Sequence, residues 1–174
     1  MKQIILSISL IGCASIAAAQ DCPAAPDHRV KLAQLIAQAQ TAPDEFIGRA
    51  VSNEMWTLWS QAPDAAAQEV LDRGMTKRAS YDYLGAKQEF DRLIEYCPDY
   101  AEGYNQRAFV LFLREEFEPA LEDLEKVIEI NPEHVAALAG RALTLMALGR
   151  LEEGQEALRI ALKLNPWLPE HRML

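Results

Sequence analysis

An all-α fold, built as a stack of antiparallel helical hairpins, is predicted by three features of the sequence. Proline followed by an acid recurs at Pro26-Asp27, Pro43-Asp44, Pro63-Asp64, Pro98-Asp99, Pro132-Glu133 and Pro169-Glu170. Proline suits the first helical position, whose N–H has no intrahelical partner, and an acid in the first turn meets the positive end of the helix dipole. Each pair is therefore expected to start a helix. Alternating β-branched runs closed by Asn-Gly or Asp-Gly turns, the mark of strands, do not occur. The third feature is an echo: LIEYCP at 93–98 returns as VIEINP at 127–132 and ALKLNP at 161–166, a period of 34 residues. Asparagine stands in both later copies where the first has Cys97.

The first residues depart from the rest in composition. Met1 and Lys2 precede an apolar stretch from Ile4 to Ile16 and then Ala17-Ala18-Ala19. A short basic start, an apolar run of about a dozen residues and a small-x-small site read as a secretory signal peptide over 1–19, cut after Ala19. The run is too short to span a bilayer, and no later stretch approaches the roughly 20 apolar residues required. The competing reading takes Leu10-Ile11-Gly12-Cys13, which resembles the lipobox of bacterial lipoproteins; Cys13 would then carry a lipid anchor. Removal of 1–19 moves the formal net charge from −9 to −10, because Lys2 is the sole charge lost. So acidic a surface repels phosphate backbones and anionic headgroups, which excludes nucleic acid as a partner. With 50% apolar and 25% charged residues the chain reads as globular, with enough apolar residues for one proper core.

After an arm at 20–27, residues 28–62 read as a helical pair. Leu32, Leu35, Ile36 and Ala39 mark one amphipathic helix, and Ile47, Val51, Leu58 and Trp59 a second. The pair reads as a divergent fourth repeat or as a cap that closes the solenoid ahead of the first repeating unit, with Trp56 and Trp59 packed into the core; the sharper alternative makes them a ligand-binding pair. Three units follow at 67–100, 101–134 and 135–168, beginning at Ala67, Ala101 and Val135. Position 8 of each is small (Gly74, Ala108, Ala142), as is position 20 (Ala86, Ala120, Gly154), so two helices can approach closely. Position 24 is large and apolar (Phe90, Leu124, Leu158) and position 27 apolar (Leu93, Val127, Ala161), filling the space between hairpins. A tail at 169–174 suffices for about one helical turn, so the last helix is expected to leave apolar surface exposed or paired with something.

These residues resemble the tetratricopeptide repeat over 67–168, about three-fifths of the chain. The pattern departs at position 4 (Val70, Tyr104, Leu138), position 7 (Arg73, Arg107, Arg141) and position 11 (Lys77, Leu111, Leu145). With the helical pair counted in, the resemblance implies a helical-hairpin solenoid of about eight helices whose first helices line a groove that receives a protein or peptide. Carried over position by position, the groove comprises Leu71, Met75, Asn105, Phe109, Phe112, Leu113, Leu143 and Met146, beside Gln68, Arg78, Glu102, Ala139 and Ala147. The family's best-known groove grips a C-terminal carboxylate with polar and basic groups; Leu71, Met75, Ala136 and Gly140 stand at such positions here, so that grip is not reproduced. The mapped surface is apolar with an aromatic centre, which suits the apolar face of a partner helix or peptide. The alternative is that the chain's own N-terminal arm, or a second copy in a homodimer, covers it.

Arg73, Arg107 and Arg141 recur at the 34-residue period and offer carboxylate contacts along one edge, or else pair with acids of their own hairpins such as Glu89 and Asp123. His28, His134 and His171 are isolated, and no His-Glu-x-x-His, Cys-x-x-Cys, phosphate loop or nucleophile elbow occurs. The expectation is a non-catalytic scaffold of the cell envelope, periplasmic or secreted, with no catalytic residues, cofactor or metal. The alternative is a lipid-anchored subunit of a membrane-associated complex. Signal cleavage would leave two cysteines, Cys22 and Cys97, in a compartment that permits disulfides. The start of the first helix and the end of the fourth share a rim, and residues 22–27 reach about 17 Å, so the two can bridge. Otherwise Cys97 is an inert thiol in place of a helix-end asparagine.

Overall fold

The computed structural model describes residues 21–174. Eight α-helices follow one another: α1 (Arg29–Thr41), α2 (Glu45–Trp59), α3 (Ala65–Ala79), α4 (Tyr83–Tyr96), α5 (Ala101–Leu113), α6 (Phe117–Ile130), α7 (Val135–Ala147) and α8 (Leu151–Leu164). A 3-10 turn at Pro169–Met173 ends the chain, and the described residues include no strand. The signal peptide, its cleavage after Ala19 and the lipidation reading of Cys13 fall outside the described residues.

The proline–acid pairs mark helix starts, but not in the expected way. Asp44 and Asp64 sit one residue ahead of the helix as N-caps, their carboxylates accepting from the N–H of Ile47 (3.0 Å) and Ala67 (2.8 Å). The proline therefore lies outside the helix and the acid works as an acceptor for orphan N–H groups. At Pro26, Pro98 and Pro132 the N-cap comes two residues later, at His28, Tyr100 and His134. Pro169 does occupy the first position of its turn.

The repeat period is written into both kinds of turn. Within each of the last three hairpins the first helix ends in paired backbone bonds: Asp82 to Lys77 O (2.9 Å) and Tyr81 to Arg78 O (3.0 Å) recur as Glu116 to Leu111 and Glu115 to Phe112, then Arg150 to Leu145 and Gly149 to Met146. This closure needs a left-handed residue, and Tyr81, Glu115 and Gly149 have φ of 65°, 63° and 77°. Between hairpins, Asn131 and Asn165 accept from the N–H of Glu133 (3.3 Å) and Trp167 (3.0 Å), holding the link to the next segment. Cys97 occupies the same place and holds its link covalently, through a disulfide to Cys22 with Cα atoms 5.2 Å apart.

Hairpins α3–α4, α5–α6 and α7–α8 stack through α4–α5 and α6–α7. Small residues set the spacing: a Cβ on Gly74 would lie 2.3 Å from the ring of Phe90, which is fully buried with Leu71 and Leu93. Burial of one such side chain stabilises by about 2–3 kcal/mol.

The helical pair α1–α2 does not close the first repeat as expected; it closes the far end. Leu35, Ile36, Ala39, Val51 and Met55 form one buried cluster with Val135, against which Leu164 and Leu168 pack. The Trp167 indole lies on the backbone of α2, where a Cβ on Gly48 would come within 2.2 Å of it, and its Nε1 donates to Ala39 O (3.0 Å). Asn165 Nδ2 donates to Ser52 Oγ (2.7 Å) and Gln40 Nε2 to Lys163 O (2.8 Å). The apolar end of α8 is thus paired, by the chain's own N-terminal hairpin. Toward the first repeat the same hairpin is held by the disulfide and by Tyr100, whose hydroxyl donates to Trp59 O (2.8 Å).

Candidate binding groove

Between α5 and α7 lies a groove of about 300 Å³. Asn105, Phe109 and Phe112 recur at i, i+4 and i+7 on α5, and Ala136, Gly140 and Leu143 do the same on α7, so each helix presents one stripe to the groove. The small residues on α7 leave it open, and Gly140 lets α7 lie against Leu124, 3.1 Å from where a Cβ would stand. Phe112 is held edge-to-face against Phe117, with centroids 5.4 Å apart. Phe109 is 48% exposed and Trp56, which reaches the groove from α2, 41%. A large apolar surface is therefore presented on rigid elements.

The sequence-mapped residues divide. Asn105, Phe109, Phe112 and Leu143 line the groove; Leu113 is exposed but does not line it. Leu71 is fully buried among Ala67, Ala86 and Phe90, so it offers nothing to a ligand. Met75 packs on the core of the first repeat, and Met146 fills the space above Gly154 at the α7–α8 contact. Glu102 and Ala139 are buried as well. Trp56 corrects the expectation of core packing: it stands one residue off the Val51–Met55 stripe and serves as a groove wall. That offset in the period of α2 was its one signal in the sequence. Its neighbour Trp59 is half-buried and stacks on His134, centroids 4.0 Å apart.

Arg78 forms the polar end of the groove. Its guanidinium lies 5.0 Å from the centroid of Phe109, donates to the Gln106 side-chain carbonyl, and has no carboxylate partner among the described residues. Burial pushes its pKa down, with the charge of Glu102 acting the other way. Behind it, Glu102 accepts from Asn105 Nδ2 (3.1 Å), Gln106 Nε2 and His134 Nε2 (3.2 Å). His134 Nδ1 accepts from the Ala137 N–H (3.2 Å), which places its proton on Nε2. Every member of this buried network has a partner.

The arginines at position 7 are internal staples. Arg107 grips Asp123 with two bonds (2.7 and 2.6 Å) and Asp91 of the preceding repeat with a third (2.8 Å), which raises its pKa. Arg73 reaches Glu89 (3.3 Å) and Glu69 (2.6 Å). In the third copy the acid's place is taken by Ala157, and Arg141 keeps a single contact, 3.8 Å from Glu125. Among the described residues no helix is long and apolar enough to cross a membrane, and no group of three or more metal-binding side chains gathers.

This geometry defines a helical-hairpin solenoid with an apolar groove on the first helices. Residues 101–134 and 135–166 each match the family model of the tetratricopeptide repeat, so these two hairpins are tetratricopeptide repeats. No curated protein sequence matches it. Among solved structures it is similar to the TPR2B domain of yeast Sti1 in its pHsp70 complex, with 25% identity and a TM-score of 0.59 over 63% of this chain and 90% of that one. It is also similar to the first repeat domain of Spaghetti (RPAP3) bound to an HSP90 peptide, with 22% identity and a TM-score of 0.57 over 57% and 79%. A crystal structure of MamA aligns over 78% of this chain and 72% of its own, with 19% identity and a TM-score of 0.54.

Proposed function

We propose that the protein is a non-catalytic interaction scaffold, exported to the cell envelope, that holds an apolar segment of a partner protein in the groove between α5 and α7. The observation that carries this reading is the aromatic wall of Trp56, Phe109 and Phe112, left partly open to solvent beside an arginine without a carboxylate partner. Central aromatic side chains of this kind are the usual energetic anchors of an interface, worth about 2 kcal/mol or more each. An acid in the partner's segment would meet Arg78, which distinguishes it from a purely apolar helix. Similar folds in complex with peptides support the use of such a groove for peptide recognition. Because α2 supplies one wall and leaves Phe109 half open, the N-terminal hairpin shapes the groove instead of filling it.

Export is supported by the Cys22–Cys97 disulfide, since such bridges persist in oxidising compartments. Affinity capture from the native envelope tests the groove: Phe112→Glu should abolish recovery of the principal partner, and unchanged recovery of every partner overturns the reading. Mass spectrometry of the mature N-terminus tests the route, Gln20 first for a freed protein and a diacylated Cys13 for an anchored one.

A further inference from the structure

Arg78 stands beside a carboxylate with which it forms no ion pair. Glu102, 1% exposed, lies behind it, but Gln106 is interposed: its side-chain carbonyl accepts from Arg78 Nη1 and its amide donates to Glu102 Oε1. Gln106 is itself only 3% exposed, so this bridge belongs to the core and not to the mobile surface. Asn105 (3.1 Å) and His134 (3.2 Å) complete the bonds to Glu102, which needs nothing from the arginine. On its other side the guanidinium rests on the Phe109 ring, 5.0 Å from the centroid, and its Nε and Nη2 donate to nothing among the described residues. Those two N–H groups form one edge of the guanidinium fork, the geometry that grips a carboxylate with two parallel bonds. Burial outweighs the charge of Glu102 in setting the arginine's pKa, which is pushed down, so the cation is short of negative charge where it stands.

Phe109, where the cation rests, is the middle of the α5 stripe Asn105, Phe109, Phe112. Beyond it in one direction are Phe112 and Leu143. In the other are Ala136 and Trp56, the latter brought in by the end of α2, where Trp59 stacks on His134 at the start of α7. The cation therefore meets the groove between two apolar stretches. A carboxylate that reaches it belongs to the middle of a bound segment, with apolar side chains before and after it, whereas a chain-terminal carboxylate leaves one stretch uncovered.

Given the groove between α5 and α7 as the partner site, we infer that it selects a segment with an internal acidic side chain flanked on both sides by apolar ones about a helical turn away, and that Gln106 sets this selectivity by holding Arg78 clear of Glu102. Without the bridge, the arginine and Glu102 close into an ion pair in a poorly solvated site, and a ligand carboxylate finds the cation already neutralised. Gln106 is thus a positioning residue: it touches no ligand, yet it decides whether the groove reads charge or only apolar surface.

Calorimetric titration of the whole oxidised chain with three helical peptides tests both parts. The first is an acetylated, amidated alanine–glutamine helix carrying leucine, glutamate and leucine at i, i+4 and i+7; the second has glutamine for that glutamate; the third is the second with a free C-terminal carboxylate. At about 0.15 M salt, which screens the protein's net negative charge, the glutamate peptide should bind about tenfold or more tighter than the glutamine peptide, and freeing the C-terminus should change little. Arg78→Met should bring the two capped peptides to the same affinity without weakening the glutamine one. Gln106→Glu and Gln106→Met should each do the same, the first by giving Arg78 a carboxylate and the second by releasing it to Glu102; a variant whose circular dichroism is altered leaves the other to decide. Equal affinities of the glutamate and glutamine peptides for the unaltered chain overturn the inference, and the groove still stands as a partner site if Phe112→Glu abolishes both. A free C-terminus that gains as much as the internal glutamate, a preference that persists in a folded Gln106 variant, or no binding of any probe also overturns it; in the last case envelope capture with Phe112→Glu judges the groove separately.

Discussion

Tyr81 and Glu115 hold a backbone conformation that side chains with a Cβ resist, at the turn where the third copy has Gly149. A left-handed residue other than glycine costs about 1–2 kcal/mol, part of which glycine gives back in unfolded-state entropy. Tyr81→Gly and Glu115→Gly should therefore each raise stability by about 0.5–1 kcal/mol, read as a shift in denaturant midpoint at unchanged slope. Glu89 illustrates the opposite case, a buried carboxylate gripped by Lys77 (2.6 Å), Arg73 (3.3 Å) and Arg92 (3.3 Å). The Lys77 bond, with Arg73 behind it, holds its pKa below the ordinary glutamate value. A lowered native pKa means stability that is complete above the ordinary range and is lost as pH falls toward the native value. Glu89→Gln should cost about 1–3 kcal/mol at neutral pH and flatten that acid limb, as measured by urea titrations across pH 3–7.

At the level of elements, Arg107 and Arg141 stand at equivalent positions with unequal partners. Arg107→Ala strands the nearly buried Asp123 and should cost about 3 kcal/mol, whereas Arg141→Ala loses one long contact and should cost less than about 1 kcal/mol. Thermal unfolding of the two variants side by side checks the contrast. The same elements show what the sequence could convey. Positions 8, 20, 24 and 27 specify the hairpin stack because they describe contacts repeated three times, and repetition makes a contact visible. The docking of α1–α2 on α8 occurs once and joins Gly48 to Trp167 across more than a hundred residues, so no period announces it. The groove was legible for α5, where Phe109 and Phe112 follow the repeat. It was not for Leu71, which is buried in the core as is Ala139 at the same position of the third unit, nor for Trp56, which belongs to no repeat.

Across the whole molecule, the N-terminal hairpin turns an open stack into a braced one. It covers the end of α8, runs along the rim of inter-repeat links and is locked by Cys22–Cys97. The bridge spans a sequence separation of 75 residues, for which chain entropy allows up to about 4.5 kcal/mol. Cys22→Ser with Cys97→Ser should lower stability by a large part of that and speed amide exchange in α1 and α2 before the repeats, by hydrogen-exchange mass spectrometry. A groove with one wall on this hairpin should then also lose partner affinity on reduction. The most direct test of the groove itself is site-specific photocrosslinking in the native envelope, with p-benzoylphenylalanine placed at Trp56, at Phe112 and, as control, at the outward-facing Val30, which is 76% exposed. The groove positions should trap one and the same partner and the control should not; equal trapping at Val30, or different partners at Trp56 and Phe112, would contradict a single ligand held between α2, α5 and α7.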